Sequence, residues 1–310
     1  MSSENGDYDP FEVFSSSLHS LFDHVVPANG DPLQMFTYNP PAESRQLALK
    51  CRIPPQQVNA LFAHHVWNAS LILADRIATS KITGLEMSLD EKNDRERIPV
   101  EIMSVCELGA GAGIPALLSA RSPHVAKVVL TDYDDKLLVD NLADNIDIAH
   151  KQDPHVRDKM VALGHTWGDQ ESLAKILKAN NDNRFTHLLL ADTLWITTVH
   201  EQLLWSLSQL LARTNTARIH LVAGFHSGRN AVRSFLRKAK EVGLEPKGDP
   251  WQELAVGGQT RPWGWDTESK GVEGIHEDEW IDEKESSSER GKWVVIGEMG
   301  WSQEQLARIP

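Results

Sequence analysis

From residue 100 onward the chain alternates between short apolar runs and longer stretches whose apolar positions recur at helical spacing. The runs fall at residues 102–108, 127–131, 160–163, 187–191, 219–223 and 292–297. The helix-like stretches fall at residues 114–120, 135–148, 171–179, 199–211 and 228–242. Short β-rich runs separated by helices predict a mostly parallel sheet covered by helices on both faces. Such a sheet takes its ligands outside the C-terminal ends of the strands, where the strand order reverses. The pattern therefore places a site before any motif is considered.

The first part of the chain is less regular. Asp9-Pro10 followed by Phe11, Phe14, Leu18, Leu21 and Val25 supplies an N-cap, a proline at the first helical position and a helical apolar stripe. This predicts a short amphipathic helix packed on the main domain. Residues 35–38 and 46–51 read as short strands before the Pro54-Pro55 break. A helix is expected from about residue 63 to 77, with Val66, Trp67, Leu71, Ala74 and Ile77 on or near one face. The organisation that follows is an N-terminal extension, residues 1–60, and one main domain, residues 61–310.

Charge changes the picture in one place. The chain of 310 residues carries 31 basic and 44 acidic side chains, a net charge of −13. Ten acids and three bases lie within residues 266–290, so that segment holds −7 of the total. It also contains Ser286-Ser287-Ser288 and reads, over about residues 264–291, as a solvated acidic insertion. Residues 85–97 mix both signs and read as a surface loop. An acidic balance argues against nucleic acid or an anionic membrane as partner. The hydrophobic fraction of 41% is enough for a sizeable core. Two cysteines, Cys51 and Cys106, make neither a disulfide framework nor a thiolate metal cluster. The N-terminus lacks a signal pattern and no apolar run approaches the roughly 20 residues of a membrane span. The expected location is the cytoplasm, with a nuclear share left open.

The strongest local chemistry is Glu107-Leu108-Gly109-Ala110-Gly111-Ala112-Gly113, which follows the first apolar run and opens a helix. Glycines let the backbone turn sharply and approach a ligand that a Cβ would block. Dinucleotide enzymes use a related loop spaced G-x-G-x-x-G. Here the spacing is G-x-G-x-G, and an acid, Glu107, precedes it. A carboxylate there suits a cationic amino-acid group better than a pyrophosphate. The second run ends in Asp132, placed to accept hydrogen bonds from both hydroxyls of a ribose. That supports an adenosine ligand and leaves NAD and S-adenosylmethionine both open.

Three further stretches carry information: His65-Val66-Trp67-Asn68-Ala69, Thr166-Trp167-Gly168-Asp169 and Leu190-Ala191-Asp192-Thr193-Leu194-Trp195. With the acid-led glycine loop and Asp132 they resemble the seven-β-strand methyltransferases that use S-adenosylmethionine. Within that group the chain is similar to the lysine methyltransferase-like family, whose members modify elongation factors and chaperones. Fungal members are often labelled nicotinamide N-methyltransferase-like. The resemblance spans residues 61–225 and the terminal run 292–297. It implies an α/β, Rossmann-like class I fold with a seven-stranded, mostly parallel sheet and a C-terminal antiparallel hairpin.

The resemblance also implies roles. Cofactor contacts fall on Trp67, Glu107, Gly109, Ala110, Gly111, Gly113, Asp132, Trp167 and Ala191, with S-adenosyl-L-methionine as cofactor and no metal. An aromatic wall at Trp67 suits a sulfonium, Trp167 suits an adenine, and the small Ala191 leaves room at the fourth strand's end. Asp192 and Trp195 form the implied catalytic pair: Asp192 holds and orients an ammonium, and Trp195 walls the acceptor channel. The family has tyrosine or phenylalanine where this chain has Trp195, a larger ring expected to reshape the acceptor channel. His226, in the loop after the fifth parallel strand, reads as an ordinary loop histidine; a base there would matter most for an oxygen acceptor. Cys106 reads as a small core residue. The implied acceptor is a protein lysine or N-terminus in the translation machinery. A small amine such as nicotinamide, a catalytically silent interaction protein and an NAD-dependent oxidoreductase stand as alternatives, the last disfavoured by the glycine spacing and Glu107.

Overall fold

The computed structural model describes residues 28–44, 46–56, 63–87, 102–255, 257–263 and 285–308. The helix expected near residues 9–25 lies outside them. The chain enters through four short strands: β1 (Ala28–Asn29), β2 (Met35–Tyr38), β3 (Leu49–Arg52) and β4 (Val66–Trp67). β2 pairs with β3 and β1 with β4, both antiparallel. Helix α1 (Asn68–Ala78) follows directly. It starts later than the spacing predicts, because Val66 and Trp67 are drawn into pairing with Asn29 and Ala28. His64 and His65 consequently sit in a turn, their rings 4.3 Å apart.

The regular alternation follows: β5 (Met103–Leu108), α2 (Ile114–Ser119), β6 (Val125–Asp132), α3 (Lys136–Gln152), β7 (Met160–Gly164), α4 (Gln170–Ala179), β8 (His187–Ala191), α5 (His200–Leu210), β9 (Arg218–Gly224) and α6 (Arg229–Glu241). The chain closes with β10 (Leu244–Ala255), β11 (Thr260–Pro262), α7 (Ser287–Arg290), β12 (Trp293–Trp301) and α8 (Gln303–Ala307). The sheet order is β11-β10-β12-β9-β8-β5-β6-β7. Strands β5 to β9 run parallel, and β12, β10 and β11 add on antiparallel. The seven-strand plan with its C-terminal hairpin is present, and the short β11 adds an eighth strand at the edge. β10 has an irregularity in its pairing with β12 between Lys247 and Gln252.

Side-chain alternation explains why the parallel strands read as unbroken apolar runs. Val105, Val128, Leu130, Leu189 and Val222 pack under α1, α2 and α3. Their neighbours Cys106, Val129, Leu188, Leu190, Leu221 and Ala223 pack on the other face with α4, α5 and α6. Successive strand residues point to opposite faces, so a sheet buried on both sides needs apolar residues at nearly every position. Tyr38, Leu49, Cys51 and Ile53 join the first of these cores, so β2 and β3 pack with the main sheet. Asn145 of α3 strengthens that junction: its side chain accepts from Arg52 N at 2.6 Å and donates to the Arg52 carbonyl at 2.9 Å and the Ala112 carbonyl at 3.0 Å.

The acidic stretch lies between β11 and β12. The sequence reads residues 264–291 as one solvated insertion, yet its last residues belong to the folded body. Glu285 reaches Arg229 at 2.9 Å and Arg261 at 2.8 Å. Arg229, itself buried, also grips Glu253 through Nε and Nη2 at 2.7 and 2.8 Å. The guanidinium lies 4.4 Å from the centre of the Phe225 ring, which stacks on Trp263 at 5.6 Å. The charges are thus tied to the loop that follows β9. Breaking a buried ion pair from one side leaves an uncompensated charge. Arg229→Ala is expected to destabilise the protein by about 3–5 kcal/mol in urea unfolding. Glu285→Ala should cost clearly less, because Arg229 keeps both bonds to Glu253; equal losses would contradict the arrangement.

Candidate active site

The parallel strands end in register: Leu108 lies opposite Thr131 and Leu190, Asp132 opposite Gly164, and Ala191 opposite Val222. β6 lies to one side of β5 and β8 to the other, so the order reverses at β5 and opens a crevice there. The glycine turn occupies its mouth. Gly109, Gly111 and Gly113 all have positive φ, at 69°, 55° and 78°. A Cβ at Gly111 would meet nothing within 4 Å, so this backbone faces open space. At Gly109 a Cβ would lie 2.9 Å from Thr193 Cγ2 and 3.5 Å from Trp167 Cζ2, which brings the β7 and β8 loops against the turn. Gly113 is different: a Cβ there would strike Leu130 at 2.7 Å, so a bare backbone is needed there for the packing of α2 on the sheet.

Asp132 closes the turn. Its Oδ2 accepts from Gly111 N at 2.6 Å and its Oδ1 from Tyr133 N at 2.7 Å, while Ala110 N donates to the Thr131 carbonyl. Burial raises its carboxyl above the usual aspartate value, with the two backbone donors opposing the rise. Each oxygen keeps a second lone pair for a hydroxyl donor. Glu107, expected beside a cationic group, instead turns inward. It is fully buried, its Oε2 accepts from Ala116 N at 3.0 Å in the first turn of α2, and its Oε1 has no partner among the described residues.

Across the crevice, Asp192 follows β8 at φ 60°, a left-handed conformation costly for a residue with a side chain. Three bonds hold it there. Asp192 N donates to the Val222 carbonyl at 2.8 Å, Oδ1 accepts from Gly224 N at 2.9 Å, and Oδ2 meets His226 Nε2 at 2.8 Å. The Trp67 ring stands edge-on to His226, centroids 5.2 Å apart. Ser227 Oγ donates to the Trp195 carbonyl at 2.7 Å, joining the two loops. The structure thus brings together Trp67, Asp192 and His226, and separately Gly109, Thr193 and Trp167. Ala191 ends β8 and packs toward the α1 side.

His226 corrects the reading of an ordinary loop histidine. Its side chain is only 12% exposed. Burial alone would lower its pKa, but the charge and hydrogen bond of Asp192 outweigh burial and raise it. The only sequence signal was its place after a strand end; the pairing needs β8 and β9 side by side. A second group also escaped sequence reading. His165, buried after β7, meets Ser172 Oγ at 2.8 Å and Ser206 Oγ at 3.0 Å, and Ser206 Oγ also accepts from Gly168 N at 3.0 Å. Burial pushes His165 down to about 4, so it stays neutral while holding the turn that carries Trp167. Cys106 lies in the core, where burial raises its thiol, in keeping with a packing role.

Two expectations follow. Burial, reinforced by the Asp132 charge and opposed by the Ala116 N–H, pushes Glu107 up from about 4.5 to about 8. The folded state then keeps a proton that the unfolded chain has lost, so this group's contribution to stability falls as pH rises across that window. Glu107→Gln should flatten the decline in melting temperature between pH 5 and 8; an unchanged profile would contradict the burial. At Gly224 a Cβ would lie 2.7 Å from His226 Nε2 and 3.2 Å from Asp192 Oδ1. Gly224→Ala should therefore separate His226 from Asp192, visible as a shift of the His226 ring resonances, while Gly111→Ala leaves them in place.

Comparison with known proteins identifies the family. A family model described as lysine methyltransferase matches residues 48–242. The protein N-terminal and lysine N-methyltransferase efm7 of Schizosaccharomyces pombe is 32% identical over 54% of this chain and 58% of its own length. Proteins of the same name from Cryptococcus neoformans and Gibberella zeae are 27% and 29% identical, over 50% and 59% of this chain and 46% and 66% of theirs. The chain thus spans about half to two thirds of the length of these relatives. With the family model covering more than half of it, the chain belongs to the lysine methyltransferase family.

Proposed function

We propose that this protein is an S-adenosylmethionine-dependent N-methyltransferase acting on protein amines, at an N-terminus or a lysine, in the cytoplasm. The acceptor class implied by the family resemblance is a protein of the translation machinery. The observation that carries the reading is the pair of half-sites on either side of the reversal of strand order. On one side lie the open Gly111 backbone and Asp132; on the other lies the Asp192 loop with Trp67 and His226. The names of the curated relatives, protein N-terminal and lysine N-methyltransferases, agree with it.

The residues present fit the cofactor. Gly111 offers backbone that no side chain obstructs, and Asp132 keeps lone pairs for two ribose hydroxyls. Thr193 Oγ1, buried and without a partner among the described residues, lies on a side chain that packs against Gly109. Trp167 would cover the base, and Trp67 would stand beside the positive sulfur, where an aromatic face favours cationic charge. When bound, S-adenosylmethionine supplies a methyl group made electrophilic by its sulfonium. The protein's task is then to align a neutral amine with that carbon, since orientation is the main lever on a displacement of this kind. Asp192 contributes fixed negative charge to the acceptor side, and Trp195 sits four residues beyond Ala191 on the loop that would wall the channel.

Titration calorimetry of S-adenosylmethionine and of NAD against the full chain tests the reading: the first should bind and the second should not. Asp132→Ala should weaken binding by about 1–3 kcal/mol with the fold intact. Gly111→Val should weaken it further by filling the open space, and normal binding by that variant would remove the turn from the site. Asp192→Asn should leave cofactor affinity unchanged while methyl transfer to protein amines falls about 10–1,000-fold. Undiminished transfer would reduce Asp192 to a loop-fixing residue.

A further inference from the structure

Residues Thr166 to Asp169 form a four-residue turn, closed by Asp169 N donating to the Thr166 carbonyl at 2.9 Å. Gly168, its third residue, has φ 87°, while Trp167, its second, stays at negative φ. That combination is a type II turn. The commoner type I differs by turning over the peptide between Trp167 and Gly168, which reverses the direction of the Gly168 N–H. Here that N–H donates to Ser206 Oγ of α5 at 3.0 Å, and Ser206 is fully buried. Trp167 is fixed on its other side as well: His165 N donates to the Asp132 carbonyl at 2.7 Å. Between these anchors Trp167 Cζ2 lies 3.5 Å from the place a Cβ on Gly109 would take, so the ring stands against the glycine turn.

A hydroxyl can serve a turn in two ways, by accepting from an N–H or by donating to a carbonyl. A trans peptide carries the two groups on opposite sides, so a type I turn would bring the Trp167 carbonyl to the side now held by the Gly168 N–H. Ser206 is committed to one of these roles by its second partner, His165 Nε2 at 3.0 Å. The other ring nitrogen, Nδ1, meets Ser172 Oγ at 2.8 Å, and Ser172 Oγ lies 3.4 Å from the Asp169 carbonyl. A carbonyl only accepts, so Ser172 gives its proton to Asp169 and receives one from Nδ1–H. Burial keeps the ring neutral, which leaves the lone pair on Nε2 to take the Ser206 proton. Ser206 can then only accept from the turn, and it holds the N–H. Every proton in this run has an acceptor, as buried polar groups require. The reverse tautomer, with the turn as it stands, leaves the Ser206 proton without one among the described residues. We propose that His165, as its Nδ1–H tautomer, is a positioning residue that acts through Ser206: it selects the type II form of the Trp167 turn and so sets the wall on which the nucleoside of the cofactor rests. This depends on the reading of the crevice as a site for S-adenosylmethionine.

Two measurements on the full chain test this. The first needs no cofactor: long-range proton–nitrogen spectra of the histidine rings at pH 7, with His165 assigned through His165→Gln. They should show the Nδ1–H tautomer, and an Nε2–H tautomer overturns the proposal. The second is titration calorimetry with S-adenosylmethionine and with 5′-methylthioadenosine, which keeps the nucleoside and lacks the amino-acid part. Ser206→Ala should weaken both by the same factor, about 5–20-fold, because the loss falls on the part they share. Ser172→Ala, which removes the acceptor of Nδ1–H but keeps Ser206, should weaken both by a smaller factor; it carries the test alone where Ser206→Ala does not fold. Affinities unchanged in a folded variant, even one of lower melting temperature, overturn the proposal. So does a loss confined to S-adenosylmethionine, or a wild-type protein that binds it and not the nucleoside. A wild-type protein that binds neither ligand refutes the S-adenosylmethionine reading and the positioning role together.

Discussion

A parallel sheet buried on both faces leaves its carboxyl edge as the place where free backbone and polar side chains can meet a ligand. Everything distinctive about this protein is built on that edge. Val105 and Cys106, or Leu188, Leu189 and Leu190, commit the strands to two opposite cores. The loops beyond them are then free to carry glycines at positive φ and an aspartate in a left-handed conformation. Strain of this kind persists only where the surroundings over-determine it. Here the ladder between β8 and β9 does so, because it sets the Val222 carbonyl and the Gly224 N–H at fixed distance from Asp192.

The two halves of the site are held by different physics. The half around the glycine turn is backbone-built: Asp132 receives N–H groups from Gly111 and Tyr133, and Asn145 holds the Ala112 carbonyl. The half around the Asp192 loop is built from side chains on three segments distant in sequence, Trp67, Asp192 and His226. Arg229 fastens the second half to the hairpin end of the sheet through Phe225, Glu253 and Glu285. A residue at the end of the acidic stretch is therefore coupled, through one guanidinium, to the loop that bears His226.

The alternation of strands and helices was legible because double burial writes itself as unbroken apolar runs. The glycine turn was legible because its residues are needed by local backbone geometry. Where pairing partners lie far apart in sequence, the reading ran out. Helix α1 starts late because residues 28 and 29 capture Val66 and Trp67, a tertiary effect that no local period encodes. Glu107 looked like a ligand contact from its place beside the glycines, yet strand alternation turns it into the core toward Ala116. Glu285 looked solvated among its acidic neighbours, and its arginine partners lie on other elements. His226 carried no motif at all; its meaning appears only when the β8 and β9 loops are seen together.

The central claim is that one ligand lies across the reversal of strand order, bridging the glycine turn and the Asp192 loop. A crystal structure with S-adenosylhomocysteine, the demethylated product, tests it most directly. The account predicts ribose hydroxyls on the Asp132 carboxylate, the base beside Trp167, and the sulfur directed toward Trp67 and Asp192. A ligand bound elsewhere, or one whose sulfur points away from the Asp192 loop, would contradict it.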